Sequence, residues 1–267
     1  MNKTIRTILI VLFAGLFLYF GGHIVSVKLR YRESRLLYEG AANTYTAEAH
    51  SKPDENGGAS TLELVAPITV DFDKLCEIND DVFAWIYCED SVINYPVVYG
   101  RDNDFYLERN LYKRSDPNGT IFSDASNTKG VVDNNLILYG HHMQDMTMFA
   151  TLKYWLEQDY YESHPVMWLL TPTQDYRIEL FSCHTCSATD ETYTIFLGPC
   201  RELDEYLARV RAQSAFESDV TLESDAKYIM LSTCAYSFLN ARTVLHGKLV
   251  PVNSAGGVPF DEMDSTT

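Results

Sequence analysis

The feature that most constrains this chain is a run of 21 residues, Thr7 to Val27, without a formally charged side chain. About 20 predominantly apolar residues are enough for a helix to cross the hydrocarbon core of a bilayer. We therefore expect residues 1–27 to form a short cytoplasmic stub and a transmembrane anchor. A cleaved signal peptide is the alternative, but Gly21-Gly22-His23 is a poor substitute for a small-x-small cleavage site at the end of the run.

Basic residues flank this run on both sides. Lys3 and Arg6 precede it, whereas a larger group follows it, consisting of Lys28, Arg30, Arg32 and Arg35. Counted by the positive-inside rule, this distribution places the large domain in the cytoplasm. Only a function that requires an external domain would overturn that count.

The remainder of the chain is acidic and rich in residues that favour β structure. Residues 28–267 carry 19 Lys and Arg (21 minus Lys3 and Arg6) against 37 Asp and Glu, a net charge of −18. Such a surface repels nucleic acid, so we expect no nucleic-acid partner. The 18 Tyr and 13 Phe favour β-strands.

The chain divides into segments of different composition. Residues 28–69 resemble a juxtamembrane helix, to about residue 41, followed by a polar spacer over 43–60. Residues 70–252 have the pattern of a globular domain, and residues 253–267 of a flexible tail.

Short strand-like runs recur through residues 70–252 and predict a mostly β domain, closed or nearly closed into a barrel. Pro96 indicates an edge or a bend in one run. Residues 145–160 can be helical. A better helix is predicted over 201–216, because Leu203, Tyr206, Leu207 and Val210 follow the i, i+3, i+4, i+7 spacing.

Three of the predicted strands carry groups suited to covalent chemistry. One apolar run, from Tyr228, ends at Cys234; another, from Leu136, ends at His141; and Arg242 lies near the start of the last strand. A thiol, an imidazole and a guanidinium suffice for acyl transfer through a thioester, as nucleophile, proton carrier and oxyanion partner. Spacing alone does not show that the three groups meet.

The Cys183-His184-Thr185-Cys186 motif invites a redox or zinc interpretation. A redox C-x-x-C normally opens a helix, whereas here it continues a predicted strand, on which positions i and i+3 face opposite sides. A zinc site would need a second pair of ligands at comparable spacing, and the sequence offers none. No acidic loop of the EF-hand type is present either, so we expect no metal and no cofactor.

The order of these motifs resembles that of the class B sortases, membrane-anchored cysteine transpeptidases of Gram-positive bacteria. Met230-Leu-Ser-Thr-Cys234 matches the Thr-Leu-x-Thr-Cys signature at all but its first position. The segment Tyr139-Gly-His-His-Met143, with Thr147-Met-Phe149 after it, looks like the class B histidine region. Ile93-Asn-Tyr-Pro-Val-Val, Gly119-Thr-Ile-Phe-Ser-Asp124 and the helix before the cysteine strand also look like the family, so the resemblance covers about residues 70–252.

The resemblance implies an eight-stranded sortase barrel with N-terminal helices, in which Cys234 is the nucleophile, His141 the acid and base, and Arg242 the oxyanion or substrate-positioning group. His142 competes with His141 on chemistry alone, but neighbours on a strand face opposite sides, and the resemblance favours His141. Ser232 and Thr233 are candidates for binding the substrate backbone, or equally for completing the sheet. Asn103 is a further candidate, although a turn-forming role suits asparagine there.

The activity implied is cleavage after threonine in the C-terminal sorting signal of an exported protein, with transfer to a peptidoglycan or pilin amine. That activity requires an extracellular catalytic domain, against the count of flanking charges. The alternatives are a non-catalytic, membrane-tethered binding barrel and a thiol peptidase that releases its product to water. The sequence does not specify the sorting signal or the acceptor amine.

Overall fold

A single long helix forms the N-terminal part of the computed structural model, which describes residues 3–49, 65–235, 237 and 239–252. Helix α1, Lys3–Tyr45, joins the apolar run to the predicted juxtamembrane helix without a break. Among the described residues, α1 is the one helix long and apolar enough to cross a membrane, and the apolar window is 0% buried. No proline interrupts residues 28–45, so the helix continues.

The C-terminal part of α1 packs against the rest of the molecule along one face. Its buried residues recur every three or four positions, at Ser34, Tyr38, Ala41 and Tyr45, which is the spacing of a single helical face. A short strand β1, Thr46–Glu48, follows and pairs antiparallel with β2, Ile68–Val70. This small sheet was not predicted, and most of the predicted spacer lies outside the described residues.

Eight further strands form a closed barrel, which confirms the predicted fold class. They are β3 Val82–Tyr87, β4 Asn94–Tyr99, β5 Ile121–Ser123, β6 Asn135–Tyr139, β7 Val166–Leu170, β8 Asp175–Ser187, β9 Lys227–Cys234 and β10 Ala241–Val252. Their order around the barrel is β10-β8-β7-β3-β4-β5-β6-β9. Two neighbouring pairs, β4 with β5 and β6 with β9, run parallel.

Alternation along β9 separates the barrel interior from its outer face. Ile229 and Leu231 belong to the main core, whereas Tyr228 and Met230 belong to two smaller clusters outside the barrel. Short helices α2 (Phe72–Ile78) and α3 (Gln158–Ser163) lie between strands. Helix α4, Arg201–Ala212, covers part of the outer face with the four apolar residues that the spacing predicted.

Two local predictions differ from the structure. Residues 145–160 are not one helix, because Met146 and Met148 have positive φ angles of 65° and 55°; a 3₁₀ segment follows at Ala150–Leu156, and then α3. Pro96 is not on an edge strand, since β4 is paired on both sides. The parallel ladder to β5 begins at Val97, one residue beyond the missing N–H.

The C-x-x-C motif lies within β8, as its strand-like pattern predicted. Cys183 belongs to the main core, whereas Cys186 belongs to the outer cluster with Met230 and Val244. The two thiols therefore project to opposite faces of the sheet. Within the described part of the chain, no group of three or more His, Cys, Asp and Glu side chains is arranged to hold a metal ion.

Candidate active site

Cys234 and Arg242 are directly opposite one another in the antiparallel ladder between β9 and β10. Cross-strand partners share a face of the sheet, with Cβ atoms about 4.5–5.5 Å apart. Alternation from Met230 and Val244 puts this pair on the outer face of the barrel. The two residues are thus neighbours on this face because of the register alone.

The segment that carries the two histidines lies on the other side of Cys234. Strand β6 pairs parallel with β9 up to Tyr139 opposite Ser232, and the Gly140 amide extends the ladder with a 3.1 Å bond to the Ser232 carbonyl. His141 follows two residues beyond the last pair, and the next residue, His142, contacts the main chain of Cys234. Strands β6, β9 and β10 therefore bring the chain segments that carry His141, Cys234 and Arg242 to the same edge of the barrel.

The His141 ring is fixed by a main-chain carbonyl. Its Nε2 lies 2.6 Å from the Leu107 oxygen, and because a carbonyl only accepts, Nε2 carries the proton. Nδ1 is then the nitrogen left for proton transfer. Gly140, the residue before His141, is closely surrounded, because a Cβ there would lie 2.5 Å from the Ile121 side chain and 2.7 Å from the Phe149 side chain.

His142 also reaches the candidate nucleophile, which the sequence did not predict. Its Nδ1 lies 2.8 Å from the main-chain oxygen of Cys234, so it supports the backbone of that residue. Burial lowers the pKa of His142, although the bond to the Cys234 carbonyl opposes this shift. Burial thus favours the neutral imidazole, a state suited to holding a carbonyl in position.

The surroundings of Arg242 leave its charge available. Its Nη1 donates to the Ala241 carbonyl at 3.0 Å, and no carboxylate in the described part of the chain forms an ion pair with it. The Cys234 thiol is free and partly exposed, which permits access to a peptide. A forked cation beside an accessible thiol is suited to binding a carbonyl oxygen as it gains negative charge.

A pair of stacked tyrosines borders the site and was not identified from the sequence. Tyr193, on the connection between β8 and α4, places its hydroxyl 2.8 Å from the Ser232 hydroxyl. Its ring stacks on Tyr139, with centroids 6.2 Å apart, and Tyr139 donates to Asp124 at 2.7 Å. Burial raises the pKa of both phenols well above the usual range, so both remain neutral. Tyr193 lies in no motif, so no sequence signal indicated it.

The three candidate substrate-binding residues have different surroundings. Ser232 is on the outer face and bonded to Tyr193, whereas the buried Thr233 faces the barrel interior, away from Cys234. Only the main chain of Thr233 is therefore positioned to meet a peptide on the Cys234 side. The Asn103 amide joins its turn to the loop after β5, donating to Asp124 at 3.2 Å and accepting from the Ala125 amide at 2.8 Å.

His246, the other histidine near Arg242 in sequence, is buried beneath α4 and not at the site. Its Nε2 lies 3.1 Å from the Tyr206 hydroxyl, and its ring stacks on His184 with centroids 5.5 Å apart. Burial lowers the pKa of both histidines, that of His184 to about 4. This position gives His246 a structural role.

The accessibility of the thiols generates a prediction for chemical labelling. Burial raises the pKa of Cys88 and Cys186 to about 12 and that of Cys183 still higher, which suppresses their thiolates. Brief treatment of the folded protein with iodoacetamide at pH 7.5 should modify Cys234 but leave these three unmodified. Peptide mass spectrometry measures the sites, and the unfolded protein, labelled throughout, is the control. Labelling of Cys186 at the rate of Cys234 would contradict the described burial.

Comparison with known proteins identifies the family. No family model matches the chain. Sortase B of Listeria monocytogenes is 30% identical over 239 residues, which cover 88% of this chain and 93% of that protein. A crystal structure of sortase B from Bacillus anthracis has a TM-score of 0.68 and 30% identity, covering 84% of this chain and 99% of that one. A crystal structure of Staphylococcus aureus sortase B has a TM-score of 0.63 and 31% identity, covering 68% of this chain and 87% of that one. The chain therefore belongs to the sortase B family of cysteine transpeptidases.

Proposed function

We propose that this enzyme cleaves the sorting signal of an exported protein after threonine and transfers the new carboxyl terminus to an amine through a thioester on Cys234. The observation that carries the proposal is the position of Cys234 between Arg242, its partner in the ladder, and the segment that holds His141. This arrangement supplies a nucleophile, a proton carrier and an oxyanion partner on one face of the barrel.

In the first half-reaction, the Cys234 thiolate attacks the threonine carbonyl carbon and forms a tetrahedral intermediate. Arg242 donates hydrogen bonds to the oxygen that gains negative charge. It is suited to this role because no carboxylate in the described part of the chain pairs with its guanidinium. His141, as imidazolium, gives a proton to the departing amine through Nδ1, since Nε2 is bonded to Leu107. Collapse of the intermediate releases the C-terminal fragment and leaves a thioester.

In the second half-reaction, the acceptor amine attacks the thioester carbonyl. Neutral His141 removes the proton from the amine and becomes the imidazolium, and collapse of the second intermediate forms the new peptide bond and expels the Cys234 thiolate, which restores the starting state. No cofactor enters either step. The acceptor class is a peptidoglycan or pilin amine; other sortase B structures are described as complexes with a substrate and with triglycine, which makes triglycine a suitable probe.

The substrate backbone lies, in this proposal, along the outer face next to Cys234. Ser232 is on that face but is 1% exposed and bonded to Tyr193, so in this proposal it contributes by holding Tyr193 beside the peptide. Thr233 contributes through its main chain, and Asn103 contributes by fixing the turn that precedes Leu107. The proposed catalytic domain spans residues 70–252.

We further propose that residues 1–27 anchor the enzyme, with the catalytic domain outside the cell. The apolar part of α1 is long enough to span a bilayer and is unburied by the rest of the chain. Substrates that are exported require an external active site. This requirement outweighs the positive-inside count, which is a statistical bias.

Mutation of Cys234 tests the nucleophile. Cys234→Ala should reduce cleavage to the background rate, because no thioester can form, whereas Cys183→Ala and Cys186→Ala should retain most of the activity. The assay incubates the purified protein with a library of sorting-signal peptides, with and without triglycine, and detects products by mass spectrometry. Normal turnover by Cys234→Ala would rule out the assignment, and hydrolysis without any triglycine adduct would rule out transfer.

The two neighbouring histidines should separate in the same assay. His141→Ala should lose about 10²–10⁴-fold in kcat/KM, the usual contribution of general acid–base catalysis. His142→Ala should lose far less, because the Nδ1 of His142 bonds the main-chain oxygen of Cys234, which gives the ring a supporting role in this proposal. A larger loss for His142→Ala would assign the acid–base role to His142 instead. Equal losses would contradict the proposed difference between the two residues.

Protease accessibility tests the orientation in the membrane. Protease added to intact protoplasts should digest the barrel and leave the short N-terminal segment protected. Protoplasts permeabilised with detergent provide the control in which every segment is accessible. A barrel that is digested only after permeabilisation would contradict both the orientation and the proposed substrates.

A further inference from the structure

We propose that Tyr38, on the helix that leads out of the apolar run, is a positioning residue for His141. The proposal rests on the catalytic role proposed for His141. Tyr38 is 4% exposed and lies more than 100 residues before the histidine in the sequence. Two separate sets of contacts connect it to the main chain around His141.

The first set runs through the Tyr38 hydroxyl. It donates to the Gly119 carbonyl at 2.5 Å and lies 2.9 Å from the Thr120 hydroxyl. Burial raises the pKa of this phenol well above its usual range, so it remains a neutral donor. The hydroxyl therefore fixes the chain at residues 119 and 120, just before β5.

Gly119 is in direct contact with the carbonyl that orients His141. It has a φ of +60°, and a Cβ there would lie 2.5 Å from the Tyr106 oxygen and 2.7 Å from the Leu107 oxygen. The Thr120 amide donates to the Tyr106 carbonyl at 3.0 Å, which holds the segment at Gly119 against the segment at Leu107. Since the Leu107 oxygen accepts from His141 Nε2, a shift at Gly119 is transmitted to the imidazole.

The second set runs through the Tyr38 ring. Its edge meets the ring of Tyr95, with centroids 5.7 Å apart and planes at 83°. The Tyr95 hydroxyl accepts from the Met148 amide at 3.0 Å, and the next amide, of Phe149, donates to the His141 carbonyl at 3.0 Å. Tyr38 thus contacts both the segment that holds the His141 ring and the residue that supports the loop after it.

Tyr38→Phe tests the proposal, because it removes the hydroxyl and keeps the ring contact with Tyr95. In the full-length enzyme in detergent micelles, kcat should fall about tenfold with KM little changed, since a small displacement of a catalytic group costs rate and not binding. The probe is the library peptide that the wild-type enzyme cleaves fastest, with triglycine as acceptor. Tyr31→Phe, on the same helix and partly buried, is the control and should retain wild-type kcat.

Two further measurements separate positioning from a general loss of structure. Selective ¹⁵N labelling of histidine should show that the His141 Nε2 signal moves in Tyr38→Phe and not in Tyr31→Phe. In a His141→Ala background, Tyr38→Phe should cause no further loss of the residual rate, because its effect acts through the imidazole. An equal loss in both backgrounds, or an unchanged His141 signal, would overturn the positioning role.

The outcome for His141→Ala alone keeps the two proposals distinguishable. If that variant retained full activity, the proposed catalytic role of His141 would fail. If it lost activity as expected while Tyr38→Phe behaved like Tyr31→Phe, the positioning role alone would fail.

Discussion

The parallel pairing of β6 with β9 is the interaction on which the site depends. It closes the barrel and aligns strand residues that are 93 positions apart in the sequence, so that the segment after one strand carries the histidines and the end of the other strand carries Cys234. The antiparallel partner β10 then supplies Arg242 from the opposite side. A slip of one residue in either ladder would move a side chain to the other face of the sheet. The proposed chemistry therefore depends on main-chain register more than on any single side-chain contact.

Much of this arrangement could be predicted from the sequence, because the strands are short β-favouring runs and α4 has a clear helical spacing. The three proposed catalytic residues could be named from motifs, but their meeting could not be derived, because pairing between distant strands leaves no local signal. The same reason explains why Tyr193 and Tyr38 were missed: each acts through contacts made only in the folded chain. Residues 145–160 could be helical by their sequence, but the positive φ angles of Met146 and Met148 prevent one continuous helix.

Around the site, main-chain groups hold the side chains that are proposed to react or to support the reaction. Leu107 and Cys234 offer carbonyls to His141 and His142 respectively. Hydrogen bonds of this kind fix a ring without adding a charge beside the guanidinium of Arg242. Neutral tyrosines complete the border and add no charge of their own.

The continuity of α1 has a consequence for how such an enzyme meets its substrates. The segment from residue 27 to residue 45 is about 27 Å long at 1.5 Å per residue, and its buried face holds it to the barrel over most of that length. A domain attached in this way cannot rotate independently of the helix. If α1 is anchored in a bilayer, the active site stays at a fixed height above the membrane. The enzyme would then find its substrates by diffusion in two dimensions, among molecules that present their cleavage sites at that height.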